Sequence, residues 1–477
     1  LSVFRGSFDR QAAQEVSGAS LQVLMALINK SLLVRLANDR LVVHELLRQY
    51  AAERLAEDTD AYEVAHDRHS ALYCRRLQAW AETVKHPSRS TTAFDIDADQ
   101  ENIQVAWNWA VLGRRVTRLT EASEGLGLLF ALQNRDQSGE AVFRAAVDAL
   151  GPPTSGEERL LVGYLLARQA LHTSHSAREG AVLVERSLTY LAGVAGSSQA
   201  LTSAKAYAWF VRGRTARDTA DWHTGQAAFE KSLSLYEQLG DRYWAAIVLQ
   251  SLSLMAWTLD DRDSARMYFQ RSLALSREIG DKIRAAYLLQ AMGDMTGFDD
   301  GQVDEAEEYL LESSRLFFAI GGRIGEQNSL APLQSAAWLR GRFSQALEIA
   351  QRRQRFAMEQ GTSIVSGIDE QGMAVGELLQ LMGSYDLAET EHSRFIAEVL
   401  AAGWAHVEIW ARPLMAATLL ALGRYTEARQ ALQSNIAALE QAGQYRMLGR
   451  TLAMAARAEL GLGNLAAAWG HALRAVQ

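Results

Sequence analysis

The chain has 477 residues, 48% of them hydrophobic and 22% charged, and carries a net charge of -8. This is the composition of an ordinary globular protein. No stretch approaches the ~20 apolar residues that span a bilayer, and the acidic balance argues against a nucleic-acid binder relying on bulk electrostatics. The single cysteine, Cys74, rules out an internal disulfide and fits a reducing, cytoplasmic setting. The chain opens on Leu1 and closes on Gln477, each within a helical pattern, which suggests a piece of a longer polypeptide.

In chain order, residues 1–57 predict two short helices, Phe8–Val16 and Leu21–Asn29, then two β-leaning runs, Ser31–Leu36 and Leu41–Val43. Asn38-Asp39 between the runs is a reasonable hairpin turn. A helix follows at His44–Glu57. Helix, helix, hairpin, helix describes a winged-helix module. Residues 58–120 form a helical coupling or linker segment. It has an amphipathic helix at His66–Trp80, a linker candidate at Lys85–Thr92, and a further helix at Asp97–Val111 that contains Trp107 and Trp109.

From residue 121 to 477 a punctuation recurs about every 40 residues, for about nine units of which the last is cut short. Small residues mark the second helix of each unit: Ala141, Ala181, Gly225, Ala265, Ala306, Ala346, Ala388, Ala428 and Ala468. Glycines stand five residues before the later anchors (Gly301, Gly341, Gly383, Gly423, Gly463) and fifteen after most of them (Gly196, Gly240, Gly280, Gly321, Gly361, Gly403, Gly443). Glycine ends a helix by allowing a left-handed backbone at its cap. Phe229, Leu233 and Tyr236 recur as Phe269 and Leu273, an apolar stripe at helical spacing. Units of this length cannot bury their apolar faces alone and must stack. The expected fold is therefore all-α, a solenoid of helix–turn–helix repeats. Pro332 and Pro413 fall inside predicted helices, where they should kink the helix or free carbonyls.

These units resemble the tetratricopeptide repeat. The small residue of the first helix (Gly213, Ser253, Gly293, Gly376), the glycine–aromatic turn (Gly341-Arg342-Phe343, Gly383-Ser384-Tyr385, Gly423-Arg424-Tyr425) and the alanine anchor carry the resemblance. The usual repeat is shorter and ends its second helix with proline; here glycine closes it. The resemblance implies a right-handed superhelix whose first helices line a concave groove. Its register nominates Arg214, Arg217, Gln250, Trp257, Gln290, Asp294, Trp338, Glu377 and Trp410 as groove residues. Aromatics interleaved with both charge signs suit a protein, a peptide or a polar small molecule with apolar portions.

The N-terminal stretch, LSVFRGSF…ALINKSLLVRL…LVVHELLRQYAAERL, resembles the winged-helix end of the NB-ARC ATPase in the STAND class of signalling ATPases. In that family a Met-His-Asp-type motif opens the last helix, and Val43, His44 and Glu45 stand at the matching positions. The resemblance implies that His44 senses an ADP phosphate when the ATPase domain is present. The plainer reading places it as a polar residue at the start of a helix on a buried seam. No Gly-x-x-x-x-Gly-Lys-Ser/Thr occurs in the sequence, so there is no phosphate cradle here.

Other candidates are weaker. His66 with His69, and His172 with His175, have a metal-compatible spacing but no further ligands nearby. His44-Glu45 lacks the second histidine of a zinc-protease motif, since Arg48 takes its place. Cys74 reads as a buried structural thiol. Basic and acidic residues nearly balance over residues 1–57, a poor footprint for DNA. The expectation is thus a sensing arm of a bacterial signalling ATPase, without catalytic residues or cofactor of its own. ATP or ADP is implied only for the longer protein, whose ATPase domain the arm would hold inactive until an inducer binds, after which that protein would oligomerise. A constitutive protein-binding scaffold, or the sensor part of a transcriptional regulator, is the alternative.

Overall fold

The computed structural model describes residues 1–86, 96–133, 135–173, 177–219, 221–359, 375–402, 405–442 and 445–476. These contain 23 α-helices, a five-residue π-helix and a two-stranded sheet. The all-α solenoid expected from the repeat is the fold found. None of the helices described is long and apolar enough to cross a membrane. The linker candidate Lys85–Thr92 lies, beyond His86, outside the described residues, as do Gly361, Gly403, Gly443 and His175.

At the N-terminus the helices are Arg10–Ser17, Leu21–Asn29 and Glu45–Ala56. Strands Val34–Arg35 and Leu41–Val42 pair antiparallel, with Val34 opposite Val42, and Asp39 takes the left-handed turn position at φ 62°. The first helix starts later than its apolar pattern suggests. Phe8 is drawn into the sheet, donating its N–H to the Leu41 carbonyl (2.9 Å) and accepting from the Leu41 N–H (2.7 Å). Asp9 then caps the helix, its carboxylate accepting from the Ala12 N–H at 2.7 Å. Phe4 and Phe8 stack at 4.1 Å and are fully buried, and Phe4 meets His69 and Tyr73 edge-on. His69 and Tyr73 belong to the helix Thr59–Lys85, which extends well beyond the expected His66–Trp80 because Asp58 caps its start.

By internal contacts the chain divides into Leu1–Ser174 with Glu179–Val211, and Arg212–Gln477 with His175–Arg178. In the second unit, antiparallel helices follow one another: Trp222–Leu239, Arg242–Thr258, Arg262–Ile279, Lys282–Asp294, Val303–Ile320, Gly322–Leu339, and onward to Leu465–Val476. Four consecutive helices open on an aspartate. Asp221, Asp241, Asp261 and Asp281 each accept from the N–H three residues on, at 3.0–3.2 Å. Second-helix serines tie each unit inward, Ser272 to the Ala246 carbonyl (2.8 Å) and Ser313 to that of Ala286 (2.7 Å).

The alanine anchors lie in the core of this unit: Ala265, Ala306, Ala346, Ala388 and Ala428 are fully buried, as are Phe229, Phe269 and Tyr236. Gly213 has no room for a side chain, since a Cβ there would sit 2.5 Å from the Phe229 ring. The first two anchors need correction. Ala141 is exposed and Ala181 half-buried, whereas Gly139 and Gly180 are buried, and Gly139 packs against the His172 ring. Pro332 and Pro413 do not break their helices; Gly322–Leu339 and Ala405–Ala421 run through them.

One anchor spacing departs from its neighbours. Ala265 and Ala306 are 41 residues apart, where Gly225 to Ala265 and Ala306 to Ala346 are 40. The surplus residue is taken up by the π-helix Met295–Asp299, which continues the helix Lys282–Asp294. A single wide turn of this kind inserts one residue without ending the helix.

Candidate ligand-recognition face

The nominated groove residues lie on the first helices of the second unit, with differing exposure. Arg214 and Arg217 are half-buried at the end of Gln199–Asp218, and Arg217 pairs with Asp218 at 3.1 Å. Gln250 is half-buried, its side-chain carbonyl accepting from Arg284 at 2.9 Å; the Arg284 guanidinium also lies 5.3 Å from the Tyr243 ring centroid. Gln290 and Asp294 are buried, at 6% and 3% exposure, so they lie under the face instead of lining it openly. Glu377 is half-buried, and burial pushes its carboxyl above the usual carboxylate range while Arg450 draws it back. Trp410 is exposed.

Trp257 and Trp338 fall into a row that sequence reasoning only half saw. Each stands eight residues before its anchor, Ala265 or Ala346, and eight residues before Ala306 stands Phe298. The Phe298 and Trp338 rings meet edge-on at 5.9 Å. The Trp257 indole N–H donates to Asp299 Oδ2 at 2.5 Å, and its ring meets Phe269 edge-on at 6.4 Å. All three row residues are half-buried. Counting back from each anchor would have found Phe298; counting 40 forward from Trp257 lands on Gly297 instead. Aromatic faces beside carboxylates and amides offer both apolar contact and directional hydrogen bonds.

His44 is exposed, not at a buried seam; it occupies the cap position before Glu45–Ala56, and its side chain makes no capping hydrogen bond. Arg48, one turn on, is buried and reaches Glu45 at 2.7 Å and the Ser2 carbonyl at 3.3 Å. The histidine pair considered for metal is split between two environments. His66 stacks on Trp109 at 4.7 Å, while His69 is buried with Nε2 3.2 Å from the Asn102 carbonyl oxygen, and burial holds its pKa down to about 4. His172 is buried against Phe143, with Nδ1 2.7 Å from Asp136. Among the described residues no three His, Cys, Asp or Glu side chains converge as a metal site requires. Cys74 is buried, and burial pushes its thiol up to about 11.

The tetratricopeptide repeat family matches residues 205–278. Two solved structures share the fold. One is a Signal Transduction ATPase with Numerous Domains (STAND) protein with a tetratricopeptide repeat sensor, from Pyrococcus horikoshii; it is 11% identical with a TM-score of 0.50, over 99% of this chain and 60% of that one. The other is a Rap protein complexed with Competence and Sporulation Factor, 12% identical with a TM-score of 0.58, over 76% of this chain and 97% of that one. The chain thus spans 60% of the length of the STAND protein it matches. No curated protein matches it. Identities this low speak for fold alone. The chain is an all-α solenoid carrying tetratricopeptide repeats.

Proposed function

We propose that this chain is the sensing arm of a STAND-type signal-transduction ATPase. Residues 1–57 would be the winged-helix end of the ATPase core, 58–120 a coupling segment, and 121–477 the repeat array that meets a protein, peptide or small-molecule inducer. The observation that carries the reading is the N-terminal module. It leaves Leu46 (69% exposed), Tyr50 (58%) and Val34 (50%) open, together with Leu21, Met25 and Leu36, although its other side is well packed. Soluble domains rarely leave so much apolar surface without a partner, and the STAND protein of like fold has a large part beyond the matched length. His44, exposed at a helix start on this module, fits a contact to ADP held by that part. An inducer would act by preferring one arrangement of arm and ATPase over the other.

Two measurements test this. Purified chain given ATP should release no phosphate above a protein-free blank; robust hydrolysis would sink the reading. In a thermal-shift screen of short peptides and metabolites, compounds that raise the melting temperature of the wild-type chain should lose about tenfold in affinity on Trp257→Ala or Trp338→Ala, the loss of about one good contact. Stabilising compounds insensitive to both substitutions would remove the repeat face as the sensing surface.

A further inference from the structure

Three consecutive residues at the end of the π-helix each hold a different neighbour. Phe298 meets Trp338 of the following unit. Asp299 accepts from the indole N–H of Trp257 in the first helix of the preceding unit. Asp300 pairs with Arg262 (3.1 Å) and Arg266 (2.7 Å) in the second helix of that preceding unit. The Arg262 guanidinium adds a hydrogen bond to the Asp299 carbonyl at 3.2 Å. Opposite, Gly297 lets Leu339 approach to where a Cβ would stand, at 2.4 Å.

We infer that the π-turn is a clamp across three successive units, and that its surplus residue is what allows the clamp to open and close without breaking a helix. A regular helix has one register, so moving residues 298–300 away from their partners would require unwinding it. A helix with one residue in excess can relocate the wide turn instead, a small rearrangement that leaves the helix unbroken. Phe298 sits in the aromatic row of the repeat face and Asp299 holds Trp257 of the same row, so whatever lies on that face bears on the clamp directly. The device would convert occupation of the face into a change in how the middle units are spaced. This use of the clamp rests on the sensing reading above; the clamp itself does not.

The test needs no ligand and uses the full chain. Asp299→Ala removes the acceptor for Trp257, Asp299→Asn keeps one, and deletion of Thr296 restores a 40-residue unit. Hydrogen exchange should speed up about tenfold over residues 295–302 and at the end of Arg242–Thr258 in Asp299→Ala, as loss of a hydrogen bond to a charged acceptor, worth about 1.5 kcal/mol, implies. Asp299→Asn should stay close to wild type, and Leu465–Val476 should not change in either. The Thr296 deletion should keep or raise the melting temperature and slow exchange over the same residues. Unchanged exchange in Asp299→Ala, equal acceleration in Asp299→Asn, or a lowered melting temperature in the deletion would each overturn the clamp. A clamp that passes in a protein whose repeat face binds nothing would stand, while the sensing role would fall.

Discussion

His69 and His392 are both buried to 1% exposure, and burial holds each near a pKa of about 4. His69 leans on Asn102; His392 lies 3.2 Å from Thr418, against Gly376, where a Cβ would collide with its ring. Both are therefore neutral at physiological pH. Because the folded pKa lies below the unfolded value of about 6.5, the stability they contribute is complete above pH 6.5. It is lost as pH falls from there toward 4, and each histidine accounts for on the order of 3 kcal/mol. Urea unfolding at pH 7.5 and 4.5 checks this: His392→Gln should be less stable than wild type at the higher pH and show a smaller loss between the two. An undiminished pH dependence in that variant would assign the acid sensitivity elsewhere. These histidines were visible in the sequence only as metal candidates or not at all. Spacing along a helix says which residues share a face, not whether that face ends up dry.

The second-helix faces were the most legible elements. Phe229, Leu233 and Tyr236 are buried as their spacing implies, and the glycines before the later anchors adopt positive φ. The first two anchors were misread because alanine is a strong helix former anywhere, so its presence alone does not mark a close approach. Gly139 and Gly180, with no side chain to spare, were the better markers. The π-turn was written as a 41-residue interval, but an interval does not tell whether a loop or a helix absorbs the extra residue. The aspartate caps were legible in principle, since Asp221, Asp241, Asp261 and Asp281 recur every 20 residues. Asp241→Ala should cost about 1 kcal/mol, and Asp241→Asn or Asp241→Ser much less. Thermal unfolding of the three variants separates the cap from the charge: equal losses in all three would assign the effect to the carboxylate's charge instead.

Within the second unit each helix packs chiefly on its neighbours in sequence, and repeat arrays of this kind behave as sums of local terms. Gly213→Ala should destabilise by about 1–3 kcal/mol, because the added methyl meets Phe229 with no space to yield. Phe269→Ala should cost about 3–5 kcal/mol by emptying a fully buried site. Each lies several units from Ala428, so exchange protection should change around the substituted residue and leave the helices near Ala428 as they were. A uniform loss of protection along Arg212–Gln477 would show the array to unfold as one cooperative body. The register carries from unit to unit and puts Trp257 and Trp338 at one position, eight residues before their anchors. Gln290 and Asp294 are buried, a depth that the spacing alone does not give.

The surplus residue also shows how a repeat array absorbs a change of length. The family match runs over residues 205–278, which hold the 40-residue interval from Gly225 to Ala265. The helix pairs nevertheless continue to Val476. A fixed-period pattern loses step after one inserted residue, whereas the backbone absorbs it in a single turn. The shape of a long repeat protein should accordingly tolerate single insertions that a template of constant length does not.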